Sequence, residues 1–164
     1  MKKADFSLLV SSEQYHLLLF GMDINNQKSP GKMISYIIQK MMPVIKLRHM
    51  KQIVGKNNYE KINWSYKLHT GITKVDYNFL KLVHKNLDTY SIGQIIRSMM
   101  DLFFYFFIRF GSCWFDELKA FLDKIKGKLR SSKAWIKRNQ EFPKLFHLRI
   151  DYDSKYNVIH IQKE

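Results

Sequence analysis

Residues 11–42, SSEQYHLLLFGMDINNQKSPGKMISYIIQKMM, recur in altered form at residues 73–104, TKVDYNFLKLVHKNLDTYSIGQIIRSMMDLFF. A shift of 62 positions without a gap puts Tyr15 on Tyr77, Leu18 on Leu80, Ser29 on Ser91, Gly31 on Gly93 and Ile34 on Ile96. Conservative matches extend the likeness: Ser11 on Thr73, Leu17 on Phe79, Phe20 on Leu82, Met33 on Ile95, and Ile37-Ile38 on Met99-Met100. A fixed period of this kind marks a supersecondary unit used twice.

Both copies have one grammar: strand, helix, turn, helix. In the first, Phe6, Leu8 and Val10 alternate with Asp5, Ser7 and Leu9, the period of a half-buried strand. Ser11-Ser12-Glu13-Gln14 has the form of a capping box and starts a helix. Tyr15, Leu18, Leu19 and Met22 give it an apolar stripe, which Asn25 to Lys28 interrupts. Ser29 then serves as N-cap, with Pro30 at the first helical position, where its missing N–H costs nothing. Met33, Ile34, Ile37, Ile38 and Met41 are the second stripe, and Pro43 ends it.

The second copy starts at Trp64, Tyr66 and Leu68, alternating with Ser65, Lys67 and His69. An ungapped match would instead align Leu68, Thr70 and Ile72 with Phe6, Leu8 and Val10. Gly71 is a poor strand residue, so the expected strand is Trp64 to His69 with an irregular link after it. Thr73 caps the next helix, with Tyr77, Leu80, Val83 and His84 as its stripe and Asn86 to Tyr90 as the turn. Ser91 caps a longer helix carrying Ile95, Ile96, Met99, Met100 and Phe103, which runs on toward Phe110.

The 164 residues carry 28 Lys and Arg against 14 Asp and Glu, a formal net charge of +14. Such a surplus favours a polyanionic partner, nucleic acid or an acidic membrane surface, although a lysine-rich composition alone would give the same number. With 46% hydrophobic and 15% aromatic residues, seven Gly and three Pro, the chain has the composition of a packed protein rather than a disordered one. One cysteine, Cys113, excludes an internal disulfide and fits a reducing cytoplasm. Near a helix start its thiol would be activated, but no partner is implied, and a buried structural thiol is expected. No apolar run or small-residue cleavage site follows Met1-Lys2-Lys3-Ala4-Asp5, so no signal peptide is expected. The most apolar run, Leu102 to Ile108, is far short of the roughly 20 residues of a membrane span. It reads as a buried helix or an oligomer interface, and membrane association is not expected.

Four segments follow: a first unit at 1–45, a basic linker at 46–62, a second unit at 63–110, and basic helices with a hairpin at 111–164. In the linker, Lys46, His49 and Ile53 lie at helical spacing, before Gly55 to Asn58 end the helix. After Gly111, Ser112 is placed to cap a helix bearing Trp114, Leu118, Phe121, Leu122 and Ile125 on one face. A short helix at Ser132 to Gln140 adds Lys133, Lys137 and Arg138, with Trp135 either in the core or stacked on a base. Leu145 to Tyr152 and Asn157 to Gln162 flank a turn at Asp153-Ser154-Lys155, a β-hairpin in which His147 and His160 would be surface or cross-strand neighbours. The fold class is α+β, mostly α: two tandem strand-helix-helix units, then amphipathic helices and a C-terminal β-hairpin.

A short strand, a capped helix with an early aromatic, and a second helix opening at Ser-x-Gly resemble the ribbon-helix-helix superfamily of MetJ and Arc. Phe6 to Val10, Ser12 to Met22 and Ser29 to Met42 carry the likeness, with a more degenerate set from Trp64 to Phe104, together about half the chain. The whole chain is also faintly similar to an uncharacterised family of small Leptospira proteins with a paired arrangement of this kind, which implies no activity. The superfamily resemblance implies a two-stranded ribbon whose outward side chains enter the major groove of double-stranded DNA, with helix N-termini on the flanking phosphates. The outward positions would be Lys3, Asp5, Ser7 and Ser65, Lys67, His69. The phosphate clamps would be Ser29, Gly31, Lys32 and Ser91, Gly93, Gln94. Asp5 and Leu9 depart from the superfamily's basic and amide readers, so the second copy is expected to do more of the reading. The two units would pair within one chain as a pseudo-dimer or between two chains.

No Gly-rich phosphate loop, H-E-x-x-H or Gly-x-Ser-x-Gly occurs, and the six His are dispersed, so neither an enzyme, a cofactor nor a metal site is expected. Asp151 and Asp153 have the spacing of some nuclease carboxylates but lack a third. The expectation is a cytoplasmic DNA-binding regulator. The alternative is an antitoxin- or phage-type adaptor that binds a protein partner, or a further copy of itself, through the aromatic helix Leu102 to Phe110.

Overall fold

A computed structural model describes residues 3–53, 65–87, 91–124 and 148–163. The expected helix at Ser132 to Gln140, with Trp135, and His147 lie outside them. The capping side chains set where the helices begin. Ser11 Oγ accepts from the Gln14 amide at 3.1 Å while Gln14 Oε1 accepts from the Ser11 amide at 3.2 Å, a complete capping box. It opens α1 (Ser12–Ile24) after β1 (Lys3–Val10). Ser29 caps α2 (Pro30–Met41) through the Lys32 amide, and a short α3 (Leu47–Ile53) follows. In the second unit Thr73 Oγ1 caps α4 (Lys74–Asn86) directly after β2 (Tyr66–Thr73). Ser91 and Gln94 form another capping box at the start of α5 (Ile92–Phe110). Helices α1 and α4 are 13 residues each and start 62 positions apart, as do α2 and α5; the sequence repeat is a structural repeat.

Trp64 lies outside the described residues, and the second copy has no irregular link after His69: its strand runs from Tyr66 to Thr73 and leads straight into α4. Gly71 does not break it, because it sits on the outer face, opposite Asp5 and against the aliphatic chain of Lys3. The inward positions Thr70 and Ile72 are each 2% exposed.

β1 and β2 pair antiparallel within the chain, from Lys3 opposite Thr73 to Val10 opposite Tyr66. The midpoint of the ladder sets Ser7 opposite His69, and these two residues are 62 positions apart. A residue facing its own repeat equivalent marks a local two-fold axis, so the two units form an intrachain pseudo-dimer.

The core lies beneath the ribbon. Leu8, Val10 and Ile72 meet the full stripe of α2 (Met33, Ile34, Ile37, Ile38, Met41) and that of α5 (Ile95, Ile96, Met99, Met100, Phe103), all buried. Helix α1 is rotated from its expected stripe: Gln14, Leu17, Leu18 and Gly21 face inward, whereas Tyr15, Leu19 and Met22 are half-buried. Two contacts set this rotation. Gln14 Nε2 donates to Asp101 Oδ1 at 3.1 Å, and Gly21 lets α1 approach Met33 and Phe104 closely. Tyr15 instead stacks on Tyr66 with ring centroids 4.1 Å apart.

The apolar run in α5 is core. Leu102, Phe103, Phe104, Phe106 and Phe107 are buried, and Phe103 meets Trp114 edge-on at 4.7 Å. Gly111, at φ +56°, turns the chain into a single 3-10 turn before α6 (Trp114–Asp123). Ser112 therefore lies inside that turn and does not cap α6; the N-cap is Cys113, without a side-chain bond. Cys113 is exposed, not the buried structural thiol expected. The hairpin pairs β3 (Leu148–Asp153) with β4 (Val158–Lys163). Asn157 belongs to the turn rather than the returning strand, at φ +50°, a left-handed conformation that asparagine tolerates. His160 faces Asp151.

Candidate nucleic-acid interface

Strand alternation divides the ribbon's side chains between two faces. Phe6, Leu8, Val10 and Tyr66, Leu68, Thr70, Ile72 point to the helices. Lys3, Asp5, Ser7, Leu9 and Lys67, His69, Gly71, Thr73 line the opposite face. Of the expected readers, Lys3, Ser7, Lys67 and His69 share that outer face with Asp5 and are exposed; Ser65, also exposed, precedes β2. Ser7 Oγ and His69 Nδ1 share a hydrogen bond of 3.1 Å on the local axis.

Each clamp helix meets the strand of the other unit. The α2 N-terminus abuts β2 so closely that a Cβ on Gly31 would lie 1.8 Å from the His69 carbonyl oxygen. Thr70 Oγ1 donates to the Gly31 carbonyl at 2.9 Å, and Ser35 Oγ donates to the Gly71 carbonyl at 2.7 Å. In the second unit Arg97 Nη1 donates to the Leu9 carbonyl at 3.0 Å. Arg97 and Leu9 are the repeat equivalents of Ser35 and Gly71, so the same tie is made twice with different chemistry. The α5 N-terminus stands further off: a Cβ on Gly93 would find Arg97 Nη1 at 3.3 Å and Leu8 Cδ1 at 3.5 Å as its nearest neighbours. Leu8 occupies the position that Thr70 holds on the other side.

The close approach of α2 creates a groove of about 430 Å³ at the ribbon's flank. Lys3, Ser29, Gly31, Lys32 and His69 line it, joined by Gln27, Ser35, Tyr36, Gln39 and Gly71. Five expected site residues from three elements thus converge. Lys3 Nζ lies 3.5 Å from Ser35 Oγ, and Lys32 is exposed beside the capped helix start. Burial raises the Tyr36 phenol above its ordinary value, so it stays a neutral hydroxyl. With two ammonium groups, hydroxyls and the positive end of α2, the groove suits an anionic oxygen ligand. Ser91 and Gly93 lie apart from this groove, beside β1, with Gln94 where the first clamp has Lys32.

Sequence reasoning missed Ser35, Tyr36, Gln39 and Arg97. Ser35 and Arg97 fall on the same repeat position, and a serine matched with an arginine on an otherwise apolar stripe was the signal that could have found them. Among the described residues no cluster of three His, Cys, Asp or Glu is arranged to hold a metal, and no helix is long and apolar enough to cross a membrane. No protein-family model, curated protein or solved structure matches the chain.

Proposed function

We propose that the chain is a DNA-binding protein, a small regulator that lays its β1–β2 ribbon in the major groove and sets the α2 and α5 N-termini against the flanking phosphates. The observation that carries this reading is the exposed two-stranded ribbon flanked by a lysine-bearing groove at a helix N-terminus. A two-stranded ribbon fits the width of the major groove, where base edges display a full donor and acceptor code. The net charge of +14 adds the sequence-independent attraction that brings such a protein to DNA. The ribbon-helix-helix resemblance supports the same reading, since the strands pair and the clamps flank them in the manner that resemblance implies. The competing adaptor reading relies on the aromatic helix Leu102 to Phe110, of which Leu102, Phe103, Phe104, Phe106 and Phe107 are buried in the core while Phe110 is 40% exposed.

The test is a titration of labelled duplex DNA across a range of salt. Specific binding persists at physiological salt, whereas purely electrostatic binding collapses by about 10³-fold or more between 50 and 200 mM. Failure to bind any duplex, with Lys67→Ala and Lys32→Ala changing nothing, refutes the proposal.

A further inference from the structure

We infer that the ribbon reads a non-palindromic duplex site, occupied by one chain in one orientation. The inference rests on the DNA-binding reading and specifies its target. A ribbon built by two identical subunits shows the same side chains on both halves, so its best site has the same two-fold symmetry. Here the backbone keeps the two-fold axis through Ser7 and His69, but the side chains on either side of it do not.

Toward one end of the outer face Leu9 stands opposite Lys67; toward the other, Asp5 stands opposite Gly71. The two ends present different chemistry to a groove. The Lys67 ammonium donates, which suits the guanine O6 and N7 acceptors. Leu9 is 45% exposed, an apolar side chain on a polar face, and the thymine methyl is the apolar group a major groove offers it. Asp5 only accepts, which suits an exocyclic amino group such as that of cytosine. A carboxylate repels phosphate, so Asp5 is useful at a base edge and harmful on the backbone. Gly71 presents no side chain of its own and lies against the aliphatic part of Lys3, so Asp5 and Lys3 together make up that end of the ribbon.

The flanks differ in the same sense. Lys3 and Lys32 line the α2 groove, whereas the α5 start has Gln94 and is held off the ribbon by Leu8. One flank therefore neutralises phosphate more than the other, but phosphates carry no sequence, so the orientation is set by the base edges that face Lys67 and Asp5. Both halves of the reading surface already belong to one chain, so a single chain completes it.

Selection of bound duplexes from a randomised library by the full-length chain, then native mass spectrometry on the enriched duplex, tests the inference. The expected result is an enriched sequence that is not its own reverse complement, holding one chain. Asp5→Asn should relax preference at one end of that sequence and Lys67→Ala at the other, by roughly tenfold each at the base concerned. A palindromic sequence, or a site filled by two chains, overturns the inference while leaving DNA binding intact. Binding that selects no sequence overturns it too, and absence of binding to any duplex removes the DNA reading itself.

Discussion

Alanine at Gly31 and at Gly93 should have unlike effects, although the two glycines are repeat equivalents at the second position of equivalent helices. At Gly31 the new methyl would sit 1.8 Å from the His69 carbonyl oxygen, a backbone atom in the middle of a ladder. Ordinary contact needs well over 3 Å, so the start of α2 must withdraw from β2 by more than an ångström. Overpacking of that kind costs about 1–3 kcal/mol. Withdrawal also stretches the Thr70 Oγ1 bond to the Gly31 carbonyl, worth about 1 kcal/mol. Alanine's better helix propensity returns less than about 1 kcal/mol. The net loss is therefore about 1–4 kcal/mol, or a melting temperature lowered by roughly 2–16 °C for a chain of this size. At Gly93 the nearest atoms are the ends of the Arg97 and Leu8 side chains, at 3.3 and 3.5 Å, which yield by small rotations. Gly93→Ala should stay within about 0.5 kcal/mol of the parent once the propensity gain offsets that adjustment. Thermal and urea unfolding followed by circular dichroism measure both. Equal stability of the two variants would refute the unequal seating of α2 and α5 on the ribbon.

Gln14→Leu removes both the capping-box acceptor at Ser11 and the amide donor to buried Asp101, and should lower stability by about 2–4 kcal/mol in urea titrations; a loss under about 1 kcal/mol would mean the α1–α5 tie is not formed. His49, 2% exposed and accepting from the Lys46 amide at 3.0 Å, is held below its ordinary pKa first by burial and then by the Arg48 charge. The folded state therefore prefers neutral imidazole while the unfolded chain gains its proton near about pH 6.5, so this contribution is complete above that pH and is lost as pH falls below it. His49→Gln should flatten the stability profile between about pH 7 and 5, and an unchanged slope would exclude His49 as its source. Under the DNA reading, Lys32→Ala should weaken all duplexes alike and reduce the salt slope by about one, whereas Lys67→Ala should change which base is preferred. The reverse assignment of those two effects would mean that the ribbon is not the reading face.

The helix starts were legible because each cap is a local device. Ser11, Ser29, Thr73 and Ser91 bond amides three residues away, and sequence spacing alone reveals that. The stripes of α2 and α5 were equally plain, being apolar throughout. The face of α1 was not, because its buried side carries Gln14 and Gly21, chosen for a partner 87 residues away and for close helix approach. Gly71 misled for a related reason. Glycine weakens a strand in isolation, but here it faces outward under Lys3 with its carbonyl tied to Ser35, and those partners come from the fold. Of the candidate groove, Ser29 and Gly31 stood out through the repeat and Lys3, Lys32 and His69 through the resemblance, whereas Ser35, Tyr36 and Gln39 did not; their gathering into one groove depended on which strand each helix crosses.

The repeat also explains why the two flanks diverge while the frame between them stays symmetric. A two-fold ribbon requires only that equivalent backbone positions be tied, and both Ser35 to Gly71 and Arg97 to Leu9 meet that requirement. What lies above the tie is free to differ. Thr70 is short and donates to the Gly31 carbonyl, so it draws α2 onto the ribbon. Leu8 fills the equivalent space with a branched apolar group, so α5 stays back and Arg97 spans the gap. Threonine in one strand and leucine in the other, together with Ser35 against Arg97, thus accompany the different seating of the two helix starts on the ribbon. A Leu8→Thr change should let α5 close toward β1, at the expense of core volume, and so make the second flank more like the first.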